Sequence, residues 1–424
     1  MSNLDTDIVV IGAGPAGIAA ACAATGQRVI VVDDNPSAGG QIWRGKHAKG
    51  LAHRWLQHLE RAGPRLLSSS RVIGLGRSAN SVLVEQPDGA VTVEYRRLII
   101  ATGARELFLP FPGWTLPNVV GVGALQALAK SGVPMEGKRI VIGGSGPLLL
   151  AVAAHLRGLG AHICLIAEQT PFRALAAFGA QLARFPAKLR AAARLELQLM
   201  GVPFRTSTWV EAAHGSRSVA SATCVSGGKR WLEPCDFLAV AYGVTPNLEV
   251  PMLLGCAIRD GCVVVDSEQQ TTTPGIYCAG EPTGIGGVEL AVVEGEIAGA
   301  AAAGRLDVTD GLSARRERWR SFARALDRAF RLRPELRTLP KPDTLVCRCE
   351  DVSVHSLAAH NGWRSAKLHT RCGMGPCQGR ICGPALEFLR GWGAESVRPP
   401  IFPARVASLA QSDETLILQN GVDV

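Results

Sequence analysis

Aromatic residues make up only 5% of this 424-residue chain, and no apolar run is as long as the roughly 18 to 20 residues that a membrane-spanning helix requires. No transmembrane segment is therefore expected. The start, MSNLDTDIVVIGAGPAG, lacks a basic region followed by a cleavable apolar one; it carries two aspartates and runs directly into a strand pattern, so a cytoplasmic location is expected. The net charge of +9 is not accompanied by basic residues interleaved with aromatics in a nucleic-acid module, so no nucleic-acid partner is expected either. What is plentiful is small and apolar: 47% hydrophobic residues and 48 glycines suit close-packed α/β layers better than β sandwiches. The length implies two or three domains.

Residues 7–11, DIVVI, form a buried-strand pattern that leads at once into GAGPAG, with Gly12, Gly14 and Gly17 in GxGxxG register and Pro15 among them. Gly12 suits a tight turn, Gly14 the approach of a pyrophosphate, and Gly17 close packing of the next helix. That helix, AGIAAACAAT, aims its first N–H groups at the anion. RVIVVDDN then gives a second strand ending at Asp33, where an acid can bind an adenosine ribose.

Two distant segments narrow the choice of nucleotide. RRLIIATGAR (96–105) is an apolar strand ending in Ala-Thr-Gly, and TTTPGIYCAGEPTGIGGVELAVVEGEIAGAAAAG (271–304) is a strand, a glycine turn and a small-residue helix. They resemble the later fingerprints of two-dinucleotide-binding flavoproteins of the glutathione and thioredoxin reductase type. The resemblance implies FAD at the first site, with Thr102 and Gly103 beside the nucleotide and Gly280 and Glu281 at the ribityl chain, Glu281 standing where the family usually has Asp. Gly40 and Gln41 of GGQIWR are assigned to the same cofactor by the same resemblance.

The pattern repeats, altered, at 139–149: RIVIGGSGPLL carries Gly144 and Gly146, and the strand AHICLIAE ends at Glu168, whose charge favours a free 2′-hydroxyl. Leu149 replaces the third glycine and is expected to push the helix off the strand. The second site is therefore expected to bind NAD(H), to bind another adenine nucleotide, or to be structural. Disulfide reductases of this type set a cysteine pair against the flavin. Here SAGGQIWRG has none, and Cys22, Cys164, Cys224, Cys235, Cys256, Cys262 and Cys278 are expected to be small buried hydrophobes. Between residues 105 and 260 there is room for the second nucleotide domain but for no separate substrate domain, so substrate chemistry is expected on another chain.

The other five of the twelve cysteines fall within 36 residues, as Cys347 and Cys349 of CRCE and Cys372, Cys377 and Cys382 of CGMGPCQGRIC. In a reducing compartment such clustering points to metal ligands or redox groups. Structural zinc usually pairs shorter knuckles. A [2Fe–2S] cluster needs four thiolates and the N–H groups of a small-residue loop, which GMGPCQG supplies. Equal spacing alone leaves open which cysteines of the triplet serve.

CRCEDV and TRCGMGPCQGRICGP, together with GGQIWR, IIATGARE, GSGPLLLAVA and AGEPTGIGG, resemble the α subunits of heteromeric FAD-dependent amino- and imino-acid dehydrogenases or oxidases. These are of the octopine and nopaline oxidase, D-hydroxyproline dehydrogenase and hydrogen cyanide synthase type, with a C-terminal [2Fe–2S] domain of the bacterioferritin-associated-ferredoxin type. By that resemblance Cys347, Cys349, Cys377 and Cys382 are the ligands, with Cys372 beside them. The fold implied is α/β, a two-dinucleotide-binding-domain flavoprotein with a small helical [2Fe–2S] domain. The function implied is electron transfer within a complex. A catalytic FAD-containing β subunit would oxidise a hydroxyproline- or opine-type substrate, and a quinone, dye or oxygen would be the acceptor. The resemblance also admits a small γ subunit, with FMN at an interface between chains. Such partners would also allow peripheral placement at the inner membrane. The rival reading is a self-sufficient NADH-dependent flavin and iron–sulfur reductase.

No residue stands in a motif for a general acid or base. The expected domains are a split FAD domain (1–112 and 250–305), an inserted nucleotide domain (113–249), an arginine-rich helical linker (306–340), the cluster domain (341–395) and a tail (396–424) read as a strap over the body. In the linker, Trp319, Phe322, Leu326 and Phe330 recur at helical spacing, which predicts an amphipathic helix with its arginines on the remaining faces.

Overall fold

The computed structural model of the chain describes residues 3–43, 50–393 and 396–410. Two compact units account for them: residues up to 105 with 246–324 and the tail, and residues 106–245 with 325–394.

The first unit is built on the strand Asn3–Ile11, with Val29–Val32 and Gly89–Ile100 parallel on either side. All four residues of Val29–Val32 are buried, because helices cover one face of the sheet and further chain the other, and such strands read as continuous apolar runs. Arg65–Leu67 and Ile276–Cys278 add parallel strands, while Arg71–Leu75 and Ser81–Gln86 form an antiparallel meander with Gly89–Ile100. The helices Pro15–Ala23 and Val288–Ala302 touch backbone to backbone: a Cβ at Gly295 would lie 2.2 Å from Ala16 O, and one at Gly299 2.2 Å from Ala20 O. The small-residue pattern of 288–302 is thus a packing requirement.

The linker helix runs Leu306–Ala329 and stops before the extended Arg333-Pro334. Phe322 is buried as its apolar stripe predicts. Arg316 departs from the prediction: it is 8% exposed and donates to Ser267 O and Gln269 Oε1, so the arginines do not all lie on the outer faces. The tail lies on the meander, where Ile401 N donates to Ile73 O at 2.9 Å, Arg405 N donates to Glu85 Oε1 at 2.8 Å, and the Arg405 guanidinium reaches Gln86 O. The part of the expected tail beyond residue 410 lies outside the described residues.

The second unit repeats the plan. Phe204–Arg205, His162–Glu168, Arg139–Gly144, Phe237–Ala241 and Val119–Gly121 form a parallel sheet in that order, and Thr208–His214, Ser221–Ser226 and Lys229–Pro234 form an antiparallel meander. Leu149 is accommodated: it is fully buried in a cluster with Ile140, Ile142 and Val152. The cysteine region does not stand apart as a separate body but belongs to this unit. Trp114 Nε1 donates to Leu345 O at 2.7 Å and Arg337 Nε to Phe388 O at 3.1 Å, and Leu336 and Leu339 join its core. Among the described residues no helix is long and apolar enough to cross a membrane.

Candidate functional site

At the first glycine loop the backbones approach too closely for side chains. A Cβ at Gly12 (φ +106°) would lie 2.2 Å from Ala101 O, one at Gly17 1.8 Å from Gly12 O, and one at Gly40 2.8 Å from Gly14 Cα. Gly14 caps the helix Pro15–Ala23 without a side-chain hydrogen bond, so first-turn N–H groups are left for an anion. Asp33 is buried, its Oδ2 accepting from Ala13 N at 2.5 Å and its Oδ1 from Asn35 N and Nδ2 at 2.8 Å. The donor-rich, side-chain-free cradle with a fixed acid at its edge fits a dinucleotide such as FAD. Gln41 is exposed at the start of the short helix Gly40–Trp43.

Thr102 keeps its main chain beside Gly12 but turns its side chain away: Oγ1 donates to Asn247 O at 3.0 Å, and Asn247 Nδ2 donates back to Thr102 O at 2.8 Å. Asn247 N also donates to Gly103 O, and Arg105 bridges Asn247 Oδ1 and Glu249 at 2.8 Å each. The carboxylate of Glu281 accepts from Gly286 N at 3.0 Å and Gly287 N at 3.1 Å, at the start of the helix Val288–Ala302, and burial raises its pKa.

In the second unit Gly144 repeats the geometry of Gly12, a Cβ there falling 1.8 Å from Ala241 O. Gly144, Gly146 and Glu168 come together, but Glu168 is 2% exposed, with Oε2 accepting from Gly146 N and Oε1 from Thr170 N, both at 2.8 Å. The chain itself covers this end of the strand. Ser145 Oγ donates to Phe330 O at 3.2 Å, Gln169 Nε2 donates to Arg331 O at 3.3 Å, and Arg333 N donates to Gln169 Oε1 at 3.2 Å. Segment 330–333 therefore lies against the loop where the sequence pattern leads one to expect an adenosine ribose.

The sulfurs of Cys347, Cys372 and Cys382, all buried, lie within 4.8 Å of one another. Hydrogen bonds from the other two thiols pull the Cys347 thiol down to about 2, with the N–H groups of Gly373 and Glu350 adding to this, while its bond to Cys347 pushes Cys372 up to about 12 and Cys382 is raised by the same cause. Three buried thiols at these separations form a site shaped for a cation. Cys349, exposed, and Cys377, half-buried, are hydrogen-bonded to each other. Of the four expected ligands, Cys347 thus stands near Cys382 and Cys349 near Cys377, while Cys372, expected beside them, lies within the same 4.8 Å of Cys347 and Cys382. The loop fits only glycine at Gly375, where a Cβ would lie 2.3 Å from Cys349 Cβ, and at Gly373 (φ +79°), where one would meet the Trp363 ring at 2.6 Å. Thiolate donors with backbone N–H groups aimed at them fit an iron–sulfur cluster. Of the seven remaining cysteines, Cys224, Cys235, Cys256 and Cys278 are buried as expected, whereas Cys22, Cys164 and Cys262 are only half-buried.

The motif analysis missed Asn247, Gln169 and Glu294. Glu294 is 2% exposed on the helix Val288–Ala302, and accepts from Gly280 N at 3.1 Å. The acids Glu294 and Glu296 inside LAVVEGEIAGAAAA were a readable signal for it, though not for which of the two is buried; Asn247 and Gln169 carried none.

The sequence pattern of the pyridine nucleotide-disulphide oxidoreductases matches residues 6–302. An opine oxidase subunit of Agrobacterium tumefaciens (strain Ach5) is 31% identical over 96% of this chain and 92% of its own length. Hydrogen cyanide synthase subunit HcnB of Pseudomonas aeruginosa is 31% identical over 88% of this chain and 90% of its own. Among solved structures, L-proline dehydrogenase from P. horikoshii has a TM-score of 0.70 at 18% identity, covering 96% of this chain and 80% of that one, and T. acidophilum thioredoxin reductase a TM-score of 0.55 at 21% identity, covering 71% and 98%. At such identities the structures establish the fold, while the sequence matches go further: this chain is an oxidoreductase of the pyridine nucleotide-disulphide oxidoreductase family, in the group that includes hydrogen cyanide synthase subunit HcnB and its opine oxidase counterpart.

Proposed function

We propose that this chain is the electron-transferring flavoprotein and iron–sulfur subunit of a multi-subunit amino- or imino-acid dehydrogenase or oxidase, whose hydroxyproline- or opine-type substrate is oxidised on a partner subunit. The observation that carries this reading is the cluster of thiols with aligned backbone N–H groups on a chain that also has a dinucleotide cradle. FAD at the first cradle would exchange electrons in pairs or singly, and a [2Fe–2S] cluster would carry them one at a time. The N–H groups at Gly14 and the start of the helix Pro15–Ala23 bind the pyrophosphate, Asp33 fixes the loop and the ribose, and Gly40 keeps the cradle open. Glu281 orders the Gly286–Gly287 turn, and each of its oxygens keeps a second acceptor position for the ribityl chain. Cys347, Cys349, Cys377 and Cys382 would hold the cluster, supplying the four thiolates that a two-iron cluster requires. Relatives named as subunits of an oxidase and a synthase support the need for partner chains.

The NADH-reductase reading is weaker because segment 330–333 lies on Ser145 and Gln169. Anaerobic stopped-flow mixing with NADH tests this. The flavin absorbance is expected to stay unbleached by NADH and to fall when substrate is added to the chain assembled with its partner. Fast bleaching by NADH alone would replace the proposed function with the reductase reading.

A further inference from the structure

Of the three glutamates on the helix Val288–Ala302, Glu294 is the one that is buried, 2% exposed among small and apolar residues. A buried carboxylate persists only where its partners are fixed. Its Oε2 accepts from Gly280 N at 3.1 Å and lies 2.8 Å from Thr283 Oγ1, and its Oε1 faces the Arg320 guanidinium at 3.3 Å. Gly280 (φ +80°) and Thr283 bound the turn that carries Glu281. Arg320 belongs to the linker helix, which also reaches the preceding strand. Arg316 and Arg320 donate to Gln269 Oε1 at 3.2 and 3.4 Å, while Gln269 Nε2 donates to Cys278 O and Cys278 N donates to Gln269 O, both at 2.9 Å. Two arginines about one helical turn apart thus brace both the strand end and the turn that follows it.

We infer that Glu294, braced by Arg320, is a positioning residue for the flavin. It holds the Gly280–Thr283 turn in the shape the cofactor needs, so that flavin retention and the flavin's environment depend on the linker helix. The inference rests on the FAD reading given above. Without Arg320 the Glu294 carboxylate is left buried and uncompensated, and it must take up a proton or admit water. Either change alters its bonds to Gly280 and Thr283, and with them the outline of the flavin site.

The test uses the full-length chain. Wild type, Arg320→Ala, Arg320→Lys and Glu294→Gln are stripped of flavin and titrated with FAD by fluorescence quenching. The visible flavin spectrum and the thermal unfolding of the flavin-free form are recorded for each. Arg320→Ala is expected to weaken FAD binding about tenfold or more, as loss of a charge-assisted contact implies, and to shift the bound-flavin bands. Arg320→Lys is expected to recover most of both, and Glu294→Gln to shift the bands while the flavin-free unfolding temperature stays near wild type. FAD affinity and spectrum unchanged in Arg320→Ala and Glu294→Gln would overturn the inference. So would a loss of affinity matched by loss of flavin-free stability with no spectral change. A wild-type chain that takes up no FAD removes the FAD reading itself, whereas a wild type that binds FAD beside unaffected variants removes only this inference.

Discussion

Cys372 is the residue at which geometry and ligand count meet. Five thiols gather where a two-iron cluster uses four: Cys347, Cys372 and Cys382 form a mutual trio, and Cys349 and Cys377 lie together. With the ligand set that the family resemblance implies, Cys372→Ala should keep two irons per chain, whereas alanine at any of the other four should lower the iron count by half or more; iron analysis of the purified variants checks this. The regular spacing of 372, 377 and 382 could not make this distinction, since it depends on which thiols the Gly373–Gly379 loop turns toward Cys347 and Cys349. A second residue, far from the cysteines, makes a pH prediction. Hydrogen bonds from Arg28 hold the Asp7 carboxyl below its ordinary range, outweighing burial. A depressed folded value means that the pair's stabilisation is complete above the unfolded-state pKa of about 3.9 and is lost as pH falls through the lower folded value. Denaturant unfolding should thus separate wild type from Asp7→Asn at about pH 6, and the difference should shrink below about pH 4.

At the scale of elements, the glycine loops and their flanking strands were legible because their chemistry is local. Gly12, Gly14, Gly17 and Asp33 lie within one strand-turn-helix-strand unit, and at Gly12 and Gly17 the close approach of the backbones leaves no alternative to glycine. The second loop shows the limit of that logic. Its residues fall where the pattern requires, but the segment that covers them comes from about 160 positions later in the chain, through Phe330, Arg331 and Arg333. Neither side of that contact carries a motif. Leu149 was legible as an oddity but not in its consequence, since only the packed core reveals that it fits. Gln169 is fully buried, and its amide joins Ser145, Thr170, Arg331 O and Arg333 N. Gln169→Leu should leave several of these buried groups without partners and lower stability by about 1–3 kcal/mol in urea unfolding, with the flavin spectrum unchanged.

At the scale of the whole molecule, the repeated plan of a parallel sheet with an antiparallel meander was foreseeable from the two glycine loops, whereas the assignment of the terminal segments was not. The tail belongs with the first unit, through Ile401 and Arg405, and the cysteine region with the second, through Trp114 and Arg337. Both attachments rest on hydrogen bonds and apolar packing across long sequence separations, which periodicity does not encode. The central claim, that one chain carries both a flavin and an iron–sulfur cluster, is tested most directly by the visible spectrum of the anaerobically purified protein, with iron and acid-labile sulfide counted per chain. The account predicts flavin bands with added absorbance between about 400 and 600 nm, together with about two irons and two sulfides. Flavin with one zinc and no labile sulfide would contradict it.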